Sequence, residues 1–445
     1  MPSGPFEGRS LHFIGIGGAG MSGLALVARS LGATVTGSDR AESSTWQQLR
    51  AGRLEPTLGH NAANLPAEAD VVVSTAIPDD NPELAAARAA GATILHRGDL
   101  LGELSRMKRT IAVSGTHGKT TTASMTALAL LECGREPAFL IGGELRATGT
   151  NAAWGTGEWA VIEADESDRS FLKLARDVAV ITNVELDHHS TYPSLLVLEE
   201  AFSAFADRAA LSVLGPGLAA FAGAGPSVSF GIDSGDLQAR ALSLHPGGSS
   251  FDVDGVRVEL RVPGRHNVLN ALAAIASCRA AGLEPSETGP ALAAFTGAGR
   301  RFEEHGRTPS GALVYDDYAH HPTEVRATLE AARTLEPRRL VACFQPHLYS
   351  RTRMLAREFG RALALADVVV VLDIYPARER AEDFPGVSGL LVAGAAADAA
   401  GGRPVWWLPQ MADAAHMLRS ELREGDLLLT LGAGDVDRLA KELVE

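Results

Sequence analysis

Cysteine is scarce: Cys133, Cys278 and Cys343 are the only three in 445 residues, they stand far apart, and none forms a C-x-x-C pair. A disulfide framework or a zinc knuckle is therefore not expected, and a reducing compartment fits. Long apolar runs are also missing. No segment reaches the roughly 18 uninterrupted apolar residues of a membrane-spanning helix. The strongest run, Asp367 to Asp373, has the length of a strand. Met1 to Ser10 holds Pro, Gly and charges where a signal peptide would have an apolar core. Basic residues are outnumbered, with 40 Lys plus Arg against 54 Asp plus Glu and a formal net charge of -14. That balance argues against broad, sequence-independent nucleic-acid binding, which needs a basic face. It leaves room for phosphorylated ligands, which a few focused cations and helix N-termini can hold. No internal repeat and no low-complexity block appears. These absences predict a soluble cytoplasmic protein with neither nucleic-acid nor membrane partners.

What is present is an alternation. Short runs rich in Val and Ile alternate with Ala/Leu-rich stretches of helical period along the whole chain, and 46% of residues are hydrophobic. This pattern predicts an α/β fold with mostly parallel sheets covered on both faces. It restarts at Thr110-Ile-Ala-Val113, after a basic stretch, and again near Leu313-Val-Tyr315, after Gly297 to Arg301. The reading is three domains: a Rossmann-like one over 1–107, a central P-loop-type ATPase over 108–302, and a second Rossmann-like one over 303–445.

The most informative segment is Ser114-Gly-Thr-His-Gly-Lys-Thr-Thr-Thr122, between a strand at Ile111 and helical spacing at Met125, Leu128 and Leu131. A Gly-rich turn opening a helix presents backbone N–H groups and a positive dipole end to phosphate. Lys119 is expected against the terminal phosphates of a nucleotide and the Thr120 hydroxyl on Mg²⁺. Val113 stands where the common G-x-x-x-x-G-K-[ST] pattern has its first Gly, so a compact variant of that turn is expected. The plain alternative is a Gly turn with an exposed lysine. Two further strands run into acidic turns, Glu163-Ala-Asp-Glu-Ser-Asp168 and Asn183 to His189. Ligands of open α/β sheets bind beyond the strands' carboxyl ends, so Glu163, Asp187 and His188 are candidates to face the same cavity. Glu163 and His188 would then serve Mg²⁺, although Mg²⁺ prefers oxygen to imidazole. The alternative for both is a solvated turn.

Gly15-Ile-Gly-Gly-Ala-Gly20 follows the first strand, and Asp39 comes 19 residues after Gly20. Alone this matches the dinucleotide fingerprint of an NAD-dependent dehydrogenase. The same geometry cradles any diphosphate, and a neighbouring ATP site favours a UDP-type substrate handle. In the last third, Arg300-Arg-Phe302, Asp316 to Pro322, Phe344 to Arg353 and Gly432 to Asp435 all sit beside strand ends. Arginines there suit a γ-phosphate or an amino-acid carboxylate, and Asp317 and His320 suit nucleotide or amine chemistry. Ordinary loop polarity is the alternative.

These motifs, in this order, resemble those of the Mur ligases along nearly the whole chain. The resemblance rests on His12 to Ser22, Ser114 to Thr122, Glu163 to Asp168, Gly264-Arg-His-Asn-Val-Leu-Asn270, Asp316 to Glu324 and Phe344-Gln-Pro-His347. It implies a three-domain ligase of cell-wall synthesis that joins L-alanine to the carboxylate of UDP-N-acetylmuramate through an acyl phosphate, using ATP and Mg²⁺. It further implies Gly115, Thr116, His117, Gly118, Lys119, Thr120 and Thr121 on the triphosphate, and His266, Asn267 and Asn270 at adenine. Arg301, Asp317 and His320 would engage ATP from the third domain. Gly17, Gly18, Asp39, His60, Ser74, Thr75, Ala76, Asn151 and Ser167 would hold the UDP-sugar. His321 and Arg351 would lie near the amino acid. Lys119, Glu163, His188, His320 and Arg351 form the implied catalytic set, with Thr120, Glu163 and His188 on metal. The implied partners are small molecules, and the chain is expected as a monomer or weak homodimer.

Two departures stand out. Leu348 occupies a position where the family often has Arg, with Arg353 a possible replacement. Phe202 lies where spacing would put the carbamylated lysine of other members. Three rivals remain open: a recycling ligase attaching a whole murein peptide to the same sugar acid, the dehydrogenase, and a non-enzymatic ATP-regulated binding module.

Overall fold

In the computed structural model, the described residues are 4–43, 45–189 and 191–445. They form two compact units, one of Met1–Arg240, Asp252–Val258 and Leu269–Phe295, the other of Ala241–Phe251, Glu259–Val268 and Thr296–Glu445. The first unit contains two sheets. One comprises β1 (Ser10–Ile14), β2 (Thr34–Asp39), β3 (Thr57–Leu58), β4 (Asp70–Val73) and β5 (Ile94–His96), in the order β3-β2-β1-β4-β5. Every neighbouring pair in it is parallel. Leu11, Phe13, Val71 and Val72 are fully buried, as strands covered on both faces require. Strand order reverses between β1 and β4, so the glycine loop and Ser74 to Ala76 border one crevice.

Local chemistry fixes the helix that starts at Pro82. The Asn81 side chain accepts from the N–H groups of Glu83 and Leu84, Pro82 supplies a preset φ, and Gly91 ends the helix in the left-handed region at φ 67°. The same turn buries Glu83 completely. Its carboxylate accepts from Ser38 Oγ at 2.5 Å, Asn64 Nδ2 at 2.6 Å and the Asn61 N–H at 3.1 Å, and lies 3.3 Å from His12 Nε2. Burial alone would raise its pKa, but the contacts with His12, Ser38, Asn64 and Asn61 bring it down to about 2. A carboxyl held below its unfolded value of 4.5 stabilises the fold above that pH and loses the contribution as pH falls towards 2. Glu83→Ala should therefore cost about 3 kcal/mol at neutral pH, with the difference from the parent shrinking below pH 4. Denaturant melts across pH would check this, and a pH-independent difference would contradict it.

The second sheet of this unit comprises β6 (Arg109–Ser114), β7 (Ala138–Leu145), β8 (Thr150–Ala153), β9 (Trp159–Glu163), β10 (Val178–Ile181), β11 (Leu211–Leu214), β12 (Ser227–Gly231) and β13 (Leu237–Gln238). Their order is β13-β12-β11-β10-β6-β9-β7-β8, and only the β7–β8 pair is antiparallel. The chain leaves β6 towards β7, returns through β9, and then crosses to β10 on the other side. The carboxyl end of β6 is thus a switch point, flanked by the ends of β9 and β10. Behind the sheet, Phe171 packs edge-on against Phe202 at 5.4 Å and stacks with Phe205 at 5.0 Å. Three further strands, β14 (Arg240–His245), β15 (Gly248–Val253) and β16 (Val256–Leu260), form a small sheet in that order.

The other unit is built on β17 (Glu303–Arg307), β18 (Leu313–Asp317), β19 (Arg339–Phe344), β20 (Val368–Val371), β21 (Val405–Trp407) and β22 (Asp426–Leu431). Their order is β17-β18-β22-β19-β20-β21, parallel except for the edge pair β17–β18. Neighbouring β18, β22 and β19 release Tyr318 to His321, Gly432 to Asp435 and Gln345 to Arg351 along one sheet edge. The mostly parallel α/β architecture expected from the sequence is what forms. No helix among the described residues is long and apolar enough to cross a membrane.

Candidate active site

At the switch point of the second sheet, the turn after β6 leads into the helix Lys119–Glu132. Two glycines make the turn possible. Gly115 has φ 133°, and a Cβ there would stand 2.1 Å from Thr182 Oγ1; Gly118 has φ 79° and would meet Asn270 Oδ1 at 2.5 Å. The chain after β10 holds the outer side of the turn. Thr116 N–H donates to the Asn183 carbonyl at 3.0 Å, His117 N–H to Asn183 Oδ1 at 2.8 Å, and Thr182 Oγ1 to the His117 carbonyl at 2.6 Å. Thr116 Oγ1 exchanges hydrogen bonds with the Glu185 backbone at 3.0 and 2.8 Å. His117 Nε2 lies 3.3 Å from Glu185 Oε2. The helix has no side-chain cap at Gly118, so its N-terminal dipole is left for a ligand.

Lys119 Nζ donates to the carbonyls of Gly115 at 2.6 Å and Thr116 at 3.1 Å, and to Glu166 Oε1 at 3.0 Å. Burial would depress its pKa, but Glu166, with Asp165 and Glu163 behind it, holds it above the ordinary lysine value. Thr120 Oγ1 donates to Glu163 Oε1 at 3.0 Å, while Glu163 Oε2 accepts from the Gly142 N–H at 2.6 Å. A hydroxyl and a carboxylate meeting at the head of a phosphate turn form the hard-oxygen pair that Mg²⁺ prefers. His188, at φ 52°, points Nε2 towards Glu166 Oε1 at 3.5 Å and Asp187 Oδ2 at 3.8 Å. Its Nδ1 is buried and meets no hydrogen-bond partner among the described residues. Thr121 is buried in the first helical turn. Asn270 braces the turn through Thr122 Oγ1 at 3.2 Å, so it supports the phosphate loop itself.

The glycine loop is closed on itself. Gly17 N–H donates to Asp39 Oδ2 at 2.9 Å, and the hydroxyls of Ser43 and Thr45 donate to the Gly17 carbonyl. Gly18 caps the helix Ala19–Ser30 in extended backbone. His60 Nδ1 lies 2.9 Å from Ser38 Oγ and 3.6 Å from Glu83, which fixes its ring. Ser74 turns the chain beyond β4, with Thr75 and Ala76 exposed. Asn151, on β8, donates from Nδ2 to the Ala19 carbonyl at 2.8 Å and Ser22 Oγ at 3.2 Å; its Oδ1 is buried without a partner among the described residues. Ser167 N–H donates to Asp165 Oδ1 at 3.0 Å. Arg97 binds Asp165 at 2.8 Å and Asp168 at 2.9 Å, joining the helix that follows β5 to the acidic turn.

In the other unit, Asp317 accepts from the N–H groups of Phe302 at 2.7 Å and Ala319 at 2.8 Å. The Arg301 guanidinium lies 5.0 Å over Tyr318. Arg300, one of the arginines that the sequence suits to a γ-phosphate or an amino-acid carboxylate, binds Asp316 at 3.0 Å and the carbonyls of Gly434 and Gly432. His320 Nδ1 lies 2.9 Å from the Tyr318 carbonyl, and its ring meets His347 at 5.8 Å. His347 stacks on Tyr375, and its Nδ1 lies 3.2 Å from Nη1 of the buried Arg351. His321 caps the helix Pro322–Arg333 in a reciprocal box with Glu324. Burial, against Glu324, lowers His266 to about 4, so it is neutral at pH 7. Asn267 Nδ2 donates to the Pro263 carbonyl at 2.7 Å. Leu348 is buried at φ 70°, and Arg353 is exposed with its guanidinium over Phe384. Arg353 therefore rests on an aromatic face.

Spacing did not single out Arg97, Glu166, Glu83 and Tyr375. Arg97 and Glu166 pair with Asp165, Asp168 and Lys119, 47 to 71 residues away, Glu83 with residues 19 to 71 away, and Tyr375 with His347 from another strand end, and no local pattern marks such pairs.

A phosphate turn at one switch point and a glycine loop at another, both on parallel sheets, define a nucleotide-using α/β enzyme. Family models match three segments: "Mur ligase family, catalytic domain" over residues 10–109, "Mur ligase middle domain" over 113–278, and "Mur ligase, glutamate ligase domain" over 300–434. A protein of Streptomyces coelicolor named UDP-N-acetylmuramate–L-alanine ligase is 46% identical, covering 98% of this chain and 96% of its own. The solved UDP-N-acetylmuramate-alanine ligase of Thermotoga maritima superposes with a TM-score of 0.85 at 30% identity, covering 98% of both chains. A murein peptide ligase of Psychrobacter arcticus does so with a TM-score of 0.76 at 27% identity, again over 98% of both. The chain belongs to the Mur ligase family and carries its three domains. Enzymes of this family are ATP-dependent ligases, and the dehydrogenase reading is set aside.

Burial raises Asp317 to about 6, against Arg301 and the N–H groups of Ala319 and Phe302. The folded carboxyl then binds its proton more tightly than the unfolded one at 3.8, so its contribution to stability is present below that pH and is lost as pH rises through about 6. Asp317→Asn should flatten the fall in stability between pH 4 and 6. Thermal melts of both proteins would show this, and equal pH slopes would rule the assignment out.

Proposed function

We propose that the protein joins L-alanine to the lactyl carboxylate of UDP-N-acetylmuramate in peptidoglycan synthesis, at the expense of ATP. The observation that carries the ligase chemistry is the cluster at the head of one helix, where Thr120 meets Glu163 at 3.0 Å and the neighbouring Lys119 meets Glu166 at 3.0 Å. The choice of sugar acid and amino acid rests on likeness to relatives of that name over 98% of the chain.

A carboxylate is a poor electrophile, and the reaction overcomes this in two steps. A lactyl oxygen attacks the γ-phosphorus of ATP, ADP leaves, and an acyl phosphate forms. The amine of alanine then attacks the carbonyl carbon, phosphate departs with the C–O bonding pair, and the nitrogen loses a proton. In this reading, Lys119 and the N-terminus of its helix hold the terminal phosphates and offset the charge on the leaving oxygen. Thr120 and Glu163, a hard-oxygen pair, would hold Mg²⁺, which lowers the charge repelling the incoming carboxylate. Neutral His266, with Asn267, suits the adenine edge, and Arg301, Asp317 and His320 complete the nucleotide contacts. Gly17, Gly18, Asp39, His60, Ser74, Thr75, Ala76, Asn151 and Ser167 make up the UDP-sugar site. Arg351 and His321 serve the alanine carboxylate, for which a guanidinium fork is well matched. Asn270, which also braces the phosphate turn through Thr122, is placed with His266 and Asn267 at the adenine. The domain limits follow as 1–107, 108–302 and 303–445, and the working form as a monomer or weak homodimer in the cytoplasm.

Phosphate release with ATP, Mg²⁺ and UDP-N-acetylmuramate should require L-alanine. Release with a murein tripeptide alone would transfer the assignment to the recycling ligase, to which the 27% identical neighbour is named. Lys119→Ala should lower turnover by about a hundredfold or more, with circular dichroism unchanged. Near-parental turnover would remove the triphosphate role of this lysine.

A further inference from the structure

A phosphate-loop lysine serves a nucleotide only when its ammonium can reach the phosphate, yet here all three donors have partners. Two are carbonyls of the turn itself. The third is Glu166, 1% exposed, whose Oε1 accepts at 3.0 Å while Oε2 stands 2.9 Å away, off the hydrogen-bonding direction. The backbone that carries Glu166 is anchored. Tyr192 Oη donates to its carbonyl at 2.7 Å, and Arg97 grips Asp165 and Asp168 on either side. A buried carboxylate on an anchored backbone therefore lies against the lysine where the terminal phosphate would bind. The inference rests on reading the 115–122 turn as that phosphate's site.

We propose that Glu166 is a positioning residue that holds Lys119 in the resting loop and competes with the nucleotide's terminal phosphate for it. Phosphate binding exchanges one anion for another on Nζ and leaves Glu166 facing a like charge. Nucleotide affinity is thereby reduced, while the lysine is kept ordered in the turn before nucleotide arrives.

Glu166→Gln retains the shape and an acceptor oxygen but removes the charge. It should bind a non-hydrolysable ATP analogue about tenfold more tightly by calorimetry, the scale of one partly screened charge contact. Its kcat should fall, because Nζ is less firmly placed. Glu166→Asp keeps the charge and should bind the analogue no more tightly than the parent. A residue needed only for the fold would weaken binding in both variants. Unchanged or weaker binding by a folded Glu166→Gln protein would overturn the proposal. The parent protein supplies a second test, independent of any variant. In its crystal structure with the analogue, the Lys119–Glu166 pair should open beyond about 4 Å, the outer limit of an ion pair. A pair still closed with phosphate bound would sink the competition. If the parent fails to bind the analogue, or Lys119→Ala binds it equally well, the phosphate-site reading itself fails. Binding by the parent that is lost in Lys119→Ala and unchanged in Glu166→Gln would overturn only the competition.

Discussion

The architecture of the first unit turns on the charge balance of one short acidic turn, Glu163 to Asp168. Four carboxylates in six residues would repel one another if each were not matched from a different part of the chain. Glu163 is met by Thr120 and the Gly142 N–H, Asp165 and Asp168 by Arg97, and Glu166 by Lys119. Burial would raise Asp165 in pKa, but Arg97 above all, then Lys119, holds it far below the carboxylate range. Removing any one cation would leave a buried charge uncompensated, a larger loss than an ordinary surface pair entails. The turn therefore fixes Lys119 and Thr120 while tying the Gly-Lys-Thr turn to the helix that follows β5.

The glycine loop of the first sheet follows the same logic in a milder form. Gly17 N–H, which a bound diphosphate would otherwise meet, is held by Asp39, and the Gly17 carbonyl takes two hydroxyls. A few residues away, Glu83 anchors Ser38 and, through it, the ring of His60. Both loops are preordered by side chains from neighbouring strands, so little backbone freedom is left to lose when a ligand arrives. In the other unit, Arg300 ties the ends of β18 and β22 by gripping Asp316 and two glycine carbonyls, and Tyr318 and His320 are presented from the turn between.

Much of this was legible in the sequence where the signal is local. The Val-rich strands, the Gly-Lys-Thr turn and the mostly parallel sheets follow from periodicity and turn chemistry within some ten residues. The pairing of Thr120 with Glu163 also followed, because both lie at strand or helix ends beside one switch point. Glu166 did not. It sits in the same run as Glu163, but only the register of β9 beside β6 decides which of the two acids meets the hydroxyl and which the lysine. Nor did the sequence show that Asn270, carried over to the adenine by its motif, also lies against Gly118 and Thr122. Arg353, offered as a stand-in for an arginine at Leu348, rests on Phe384; helical phase, which counting alone does not show, turns it outward.

A chain of net charge -14 that handles nucleotides and carboxylates presents an apparent contradiction. Distance resolves it. At a Debye length of about 8 Å, the overall negative field is largely screened, and what an anionic ligand meets is set by the groups within hydrogen-bond reach. Cations of the chain are paired beforehand, Lys119 with Glu166 at the Gly-Lys-Thr turn, Arg97 with Asp165 and Asp168, and Arg300 with Asp316, the last two as ties within the fold. Such pairs present little net charge to solvent and so do not attract anions indiscriminately. A ligand of the right shape can still replace one partner, if it brings more negative charge and more hydrogen-bond acceptors than a single carboxylate. A triphosphate meets that condition and a stray monoanion does not. Selectivity for the nucleotide can therefore arise from the exchange of one anion for a stronger one at a single buried cation.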